Sequence, residues 1–156
     1  MSSDETEPSE PLDLLIVEDN KGDVRLIKEA FNEVTTDHTL HIVTNGEEAL
    51  DFVYREGDHT RAPRPDLIIL DLNLPILSGI EVLQQIKGDP DLTSIPVIVL
   101  TGSEAERDVI ESYAYHSNAC LIKPVDTKEF FSLIRSIEHF WMNLVQLPPE
   151  PESVGM

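Results

Sequence analysis

Five short apolar runs recur along this chain, at residues 14–17, 40–43, 67–70, 97–100 and 119–122. Runs of four residues are too short for a helix, and runs this rich in Ile, Leu and Val suit strands buried on both faces of a parallel sheet. The segments between them carry helical spacing. Val24, Ile27, Phe31 and Val34 recur at three and four residues, as do Ala49, Leu50 and Val53, then Ile80, Leu83 and Ile86. A fourth set is Val109, Ile110 and Tyr113; the last and longest is Phe130, Leu133, Ile134, Ile137, Phe140, Trp141 and Leu144. Strand and helix thus alternate five times. That order predicts a three-layer α/β fold, a doubly wound five-stranded parallel sheet with right-handed crossovers.

The breaks agree with it. Prolines 63 and 65 interrupt the chain before the third strand, and Gly88-Asp89-Pro90 ends the third helix. The expected organisation is one domain over residues 12–146, with an acidic disordered tail over 1–11 and a flexible, proline-broken tail over 147–156.

Charge narrows the partners. Lys and Arg number 11 against 30 Asp and Glu, a net charge of −19. Four of the acids fall in the first eleven residues and two in the last nine, so the body still carries 24 acids against 11 bases. Such a surface repels nucleic-acid backbones and anionic membranes. It also suits a high-salt cytoplasm, where dense carboxylates keep a protein hydrated. The first ten residues have no apolar signal-peptide core and no run approaches the ~20 residues of a membrane span, so a soluble, cytoplasmic protein is expected. The single cysteine, Cys120, excludes an intramolecular disulfide.

Ligands of open α/β sheets bind outside the carboxyl ends of the strands. Reading those ends in turn gives Glu18-Asp19, Thr44-Asn45, Asp71, Thr101-Gly102 and Lys123-Pro124. Taken singly, each has an ordinary explanation: an Asp after a strand is often a turn residue, and Glu18-Asp19-Asn20 can cap a helix beginning near Gly22. Capping does not require carboxylates on strands one and three with Thr and Lys on strands four and five. Three carboxylates at one edge repel each other unless compensated. A hard divalent cation such as Mg²⁺ compensates them through oxygen ligands, and Lys123 neutralises part of the charge when the metal is absent. A carboxylate is also a competent nucleophile toward phosphoryl groups, with Lys and Thr as donors to the transferring oxygens.

With these residues in place, the sequence resembles a response-regulator receiver domain, the phosphorylated half of a two-component system with a flavodoxin-like fold. The motifs LLIVEDN, PDLIILDLNLPILSGIEVL, PVIVLTGS and ACLIKPVD stand in that family's order, and the likeness runs from about Leu12 to Trp141. It is nearest to stand-alone receivers of the phytochrome-associated type, through EDNKGDVRLIKEAF, REGDHTRAPRPDLIILDLNLP and EFFSLIRSIEHFW. The resemblance implies Asp71 as phosphoacceptor, Glu18, Asp19 and Asp71 as ligands of Mg²⁺ (or Mn²⁺), and Asn73 as a backbone-carbonyl ligand. It implies Thr101 as the switch hydroxyl and Lys123 as the phosphoryl contact. Pro75 and Gly79 match the loop after the acceptor, and Pro124 would follow a cis peptide bond. The implied partners are a sensor histidine kinase or phosphotransfer protein, a downstream protein target, and a second copy through the fourth and fifth helices.

One position departs from the family pattern. The aromatic residue three positions before the lysine is here Cys120, too small to fill the same space, so the usual threonine–aromatic coupling is not expected in its ordinary form. A buried inert thiol and a redox-sensitive one both fit it, and Tyr113 or Tyr115 offers an alternative moving ring. The last helix is expected to dock Phe130, Leu133, Ile134 and Ile137 on the sheet and to spread Phe131, Trp141 and Val145 onto a second face.

The expected function is that of a single-domain response regulator, a switch and not a turnover enzyme. Two rivals stand beside it. A haloacid-dehalogenase-type phosphatase needs a second Asp as general acid two residues after the nucleophile, where this chain has Asn73. A phosphorylation-independent interaction module would need only the fold.

Overall fold

A computed structural model describes residues 11–33, 37–105 and 119–142. Among them are five strands: β1 (Leu12–Val17), β2 (His38–Val43), β3 (Leu67–Asp71), β4 (Val97–Thr101) and β5 (Ala119–Ile122). Four α-helices accompany them: α1 (Lys21–Asn32), α2 (Gly46–Tyr54), α3 (Gly79–Lys87) and α4 (Thr127–Ile137). The expected fourth helix and both tyrosines offered as replacements for the switch aromatic lie outside the described residues, as do both tails except for Pro11. The C-terminal helix is therefore the fourth one described.

Each helix starts where a side chain satisfies the free amides of its first turn. Asn20 accepts from the Asp23 amide, Asn45 from Glu48, Ser78 from Glu81 in a reciprocal capping box, and Asp126 from both Lys128 and Glu129. Gly88 closes α3, as the Gly-Asp-Pro signal predicted. The last helix is shorter than its apolar spacing suggested. It ends at Ile137 and passes into a π-helical turn over Glu138–Met142, which shifts the phase of the side chains beyond it.

All strand pairs are parallel, in the order β2-β1-β3-β4-β5. The chain leaves β1 to one side for β2 and returns to its other side for β3, so the direction of winding reverses at the β1/β3 boundary. A crevice at the carboxyl ends follows from that reversal. The period-two alternation of strand residues then sorts the core into two layers. Leu14, Ile16, Leu67, Ile69, Ile98 and Leu100 pack with Ile27 and Phe31 of α1 and Phe130, Ile134 and Ile137 of α4. Leu15, Val17, Ile68, Leu70, Val97, Val99 and Cys120 pack with Phe52 of α2 and Val82, Leu83 and Ile86 of α3.

The same alternation, carried to the strand ends, puts Glu18, Asp71 and Lys123 on the α1/α4 side and Asp19 and Thr101 on the other. The last helix docks Phe130, Ile134 and Ile137 as expected, with Leu133 partly buried. Phe131, half-buried, packs against this same layer instead of forming a second face. The side chains of Trp141 and Val145 lie outside the described residues. One implied feature is corrected. No peptide bond among the described residues is cis, so Pro124 follows a trans bond; the two isomers before proline differ intrinsically by only ~0.5–1 kcal/mol, and sequence alone does not decide between them.

Candidate functional site

The five strand-end groups read from the sequence gather at the carboxyl edge. Glu18, Asp19 and Asp71 each present an oxygen, all within 4.8 Å of one another. Glu18 and Asp71 are only 1% and 4% exposed and Thr101 is fully buried, whereas Asp19 faces solvent. The backbone explains how they reach one another. The Glu18 amide donates to the Val43 carbonyl, the Leu72 amide to Leu100, and the Lys123 amide to Thr101, so the sheet ladder continues past each strand into the site.

The two buried carboxylates are each half satisfied by a local amide. Glu18 Oε2 accepts from the Asn20 amide at 3.1 Å, and Asp71 Oδ1 accepts from the Asn73 amide at 3.1 Å. Their remaining oxygens face Lys123. Its Nζ stands 2.9 Å from Glu18 Oε1 and 3.2 Å from Asp71 Oδ2. The contact to Glu18 Oε1 has ion-pair distance without hydrogen-bond alignment, so that buried oxygen lacks a hydrogen-bond donor.

A third carboxylate takes the shortest contact: Asp23 Oδ2 lies 2.7 Å from the ammonium. Asp23 was not singled out from the sequence. Asn20 caps α1 through the Asp23 amide, and α1 packs on the sheet face that carries Lys123, which brings the Asp23 side chain over the site.

Burial dominates the electrostatics. It lifts the Glu18 carboxyl from 4.5 to about 7, helped by the adjoining Asp71 carboxylate and its charge and opposed by Lys123. Burial alone would lower Lys123. The hydrogen bond to Asp23 and the close contact of Glu18, with the charges of Glu18 and Asp71, outweigh it and raise the ammonium's pKa.

This arrangement fits a divalent cation. Three clustered carboxylates, one with an undonated buried oxygen and a pKa pushed up by burial and by its acidic neighbour, form a hard all-oxygen donor set that gains from a positive charge. Among the described residues this is the one acidic cluster of that geometry.

The loop after Asp71 is held close. The Gly79 amide donates to the Leu72 carbonyl at 3.1 Å, and a Cβ at Gly79 would stand 2.5 Å from the Asp71 carbonyl oxygen and 2.6 Å from Leu72 Cα. Ile76 in the same loop has a φ of 71° and is three-quarters exposed. Cys120 is buried against the α2/α3 layer. Its side chain thus belongs to the core, with Val99 as its strand neighbour.

Comparison with known proteins agrees with the geometry. Residues 14–135 match the family model described as response regulator receiver domain. The response regulator Rcp1 of Synechocystis sp. is 47% identical over 146 residues, spanning 94% of this chain and 98% of that protein. A probable methanogenesis regulatory protein, FilR2 of Methanothrix harundinacea, is 35% identical over 148 residues, 94% of each chain. The crystal structure of the Mn²⁺-bound form of Rcp1 superposes with a TM-score of 0.83 at 47% identity, over 89% of this chain and 100% of the other. That of the phosphorylated cyanobacterial phytochrome response regulator RcpA gives 0.82 at 43% identity, over 89% and 99%.

Proposed function

The chain belongs to the response regulator receiver domain family, and on that footing we propose that Asp71 accepts a phosphoryl group from a partner's phosphohistidine in the presence of Mg²⁺ or Mn²⁺. The observation that carries this reading is the buried Asp71 carboxylate, with one oxygen on the Asn73 amide and the other facing Lys123, beside the acidic cluster with Glu18 and Asp19.

In the proposed transfer an Asp71 oxygen attacks phosphorus in line. The phosphorus–nitrogen bond to the donor imidazole breaks, and its electron pair returns to the ring nitrogen. Glu18, Asp19 and Asp71 would hold the cation, with the Asn73 carbonyl as a further ligand. When bound, the cation neutralises charge on the transferring oxygens. Lys123 holds a second phosphoryl oxygen, exchanging a carboxylate contact for it. Thr101, at the end of β4, donates its hydroxyl to a third. Moving that buried hydroxyl couples the phosphoryl group to β4 and biases the segment after it between two states. Slow hydrolysis of the acyl phosphate resets the switch.

Receiver domains interact with histidine kinases and downstream targets, and this reading assigns a sensor kinase or phosphotransfer protein as donor and a protein as recipient. The Mn²⁺ form of Rcp1 and the phosphorylated form of RcpA support both halves of the reading by likeness. A cytoplasmic location goes with it, because phosphohistidine donors are made from ATP. Exposed Val125 and Phe140, on either side of α4, support a contact surface for a second copy or a target. Sedimentation as a monomer with and without the phosphoryl group would remove the homodimer.

The test is incubation with acetyl phosphate and Mg²⁺, followed by intact-mass measurement. The reading expects one added phosphoryl group, lost in Asp71→Asn and absent with chelator. No mass gain with metal present would favour the phosphorylation-independent module instead.

A further inference from the structure

We propose that Asp23 is a positioning residue that sets how freely Lys123 serves the phosphoryl group, a role that rests on the function proposed above. Lys123 has three N–H donors and three carboxylates around it, and the closest of the three is Asp23, at 2.7 Å against 2.9 Å for Glu18 and 3.2 Å for Asp71. The ammonium therefore leans toward α1 and away from the acceptor.

Asp23 stands apart from the other two in one respect. Glu18 and Asp71 belong with Asp19 to the cluster that suits a cation, and Asp23 does not. A cation drawn to that cluster takes charge and lone pairs from Glu18 and Asp71, weakening their hold on Lys123 and leaving Asp23 as its undiminished partner. The phosphoryl group must then compete with Asp23 for the ammonium.

Net charge acts in the same direction. Glu18, Asp19, Asp71, Lys123 and a divalent cation sum to neutrality, and Asp23 makes the site negative before an anionic phosphodonor arrives. One carboxylate therefore has two opposite consequences. It strengthens cation binding, both by its own charge and by neutralising the ammonium that would repel the cation. It weakens engagement of the phosphodonor, by its charge and by occupying a Lys123 donor.

The experiment measures both quantities in the full chain for wild type, Asp23→Asn and Asp23→Glu. Calorimetric titration with Mg²⁺ gives the cation affinity; rates of mass gain with acetyl phosphate at saturating Mg²⁺ give the donor concentration for half-maximal rate. Asp23→Asn is expected to bind Mg²⁺ roughly three- to tenfold more weakly while reaching half-maximal rate at a roughly three- to tenfold lower donor concentration. Asp23→Glu restores the charge and moves both values back toward wild type. In a Lys123→Met background the Asp23→Asn gain toward the donor shrinks, because the residue acts chiefly through the ammonium.

A merely structural loss would impair both quantities together, so parallel losses overturn the proposal. So do two unchanged values or a failure of Asp23→Glu to restore them. A wild type that takes up no phosphoryl group would overturn the functional reading, while the Mg²⁺ titration, which needs no transfer, would still decide whether Asp23 governs the cation.

Discussion

Lowering the pH from about 8 to about 6 is expected to weaken Mg²⁺ binding about tenfold, through one carboxyl group. A cation binds Glu18 as the carboxylate, and burial beside Asp71 raises that group to about 7. The apparent association constant then follows the deprotonated fraction, which is about nine-tenths at pH 8, about one half at pH 7 and about one-tenth at pH 6. Each cation bound correspondingly displaces about 0.1, 0.5 and 0.9 of a proton at those three pH values. Calorimetric titration in two buffers of different protonation enthalpy reads affinity and proton release in one experiment. Glu18→Gln should abolish both the slope and the released proton. An affinity that stays flat across the two pH units, or a slope that survives Glu18→Gln, would refute the reasoning.

The same group fixes the direction of stability in the metal-free protein. Its pKa is raised on folding, so its stabilising contribution is complete below about 4.5 and is lost as pH rises through about 7. Mg²⁺ should therefore raise the melting temperature more at high pH than at low pH.

Three other outcomes follow from named contacts. Gly79→Ala puts a methyl 2.5 Å from the Asp71 carbonyl oxygen, so denaturant titration should show a loss of about 1–3 kcal/mol and the phosphorylation rate should fall with it. Asp126→Ala removes the acceptor of two first-turn amides of α4 and should cost about 1 kcal/mol, read as a melting temperature lower by a few degrees. Cys120, buried in the α2/α3 layer, should react with a thiol reagent at least ~100-fold more slowly than in the unfolded chain; equal rates would favour the accessible, redox-sensitive alternative.

Four of the five strands were legible because a parallel sheet covered on both faces leaves a distinct mark, four apolar residues and then a polar one; β2, at the sheet edge and with His41 inside its run, carries it only in part. Glu18, Asp71 and Thr101 were found by reading that polar residue, and among the described residues they are the three buried polar ones. Lys123 followed from the same rule.

Asp23 was not legible, since an acid in the first turn of a helix is common there for its interaction with the helix dipole. Only the packing of α1 on the Lys123 side of the sheet reveals its second partner. Strand parity was a usable signal: Glu18 and Lys123 share a face, and the first turn of α1 starts three residues after Glu18. The early end of α4 was hidden for a different reason. Apolar spacing of three and four continues through Phe140, but a π-helical turn changes the phase without changing the composition.

The central claim is that Asp71, and no neighbouring carboxylate, carries the phosphoryl group. Borohydride reduction converts an acyl phosphate to an alcohol, leaving homoserine at the acceptor position. Treating the Mg²⁺- and acetyl-phosphate-reacted protein in this way and mapping its peptides should find homoserine at position 71 alone, and none when the metal is chelated. Homoserine at Glu18's neighbour Asp19 or at Asp23, or labelling indifferent to the metal, would contradict the account.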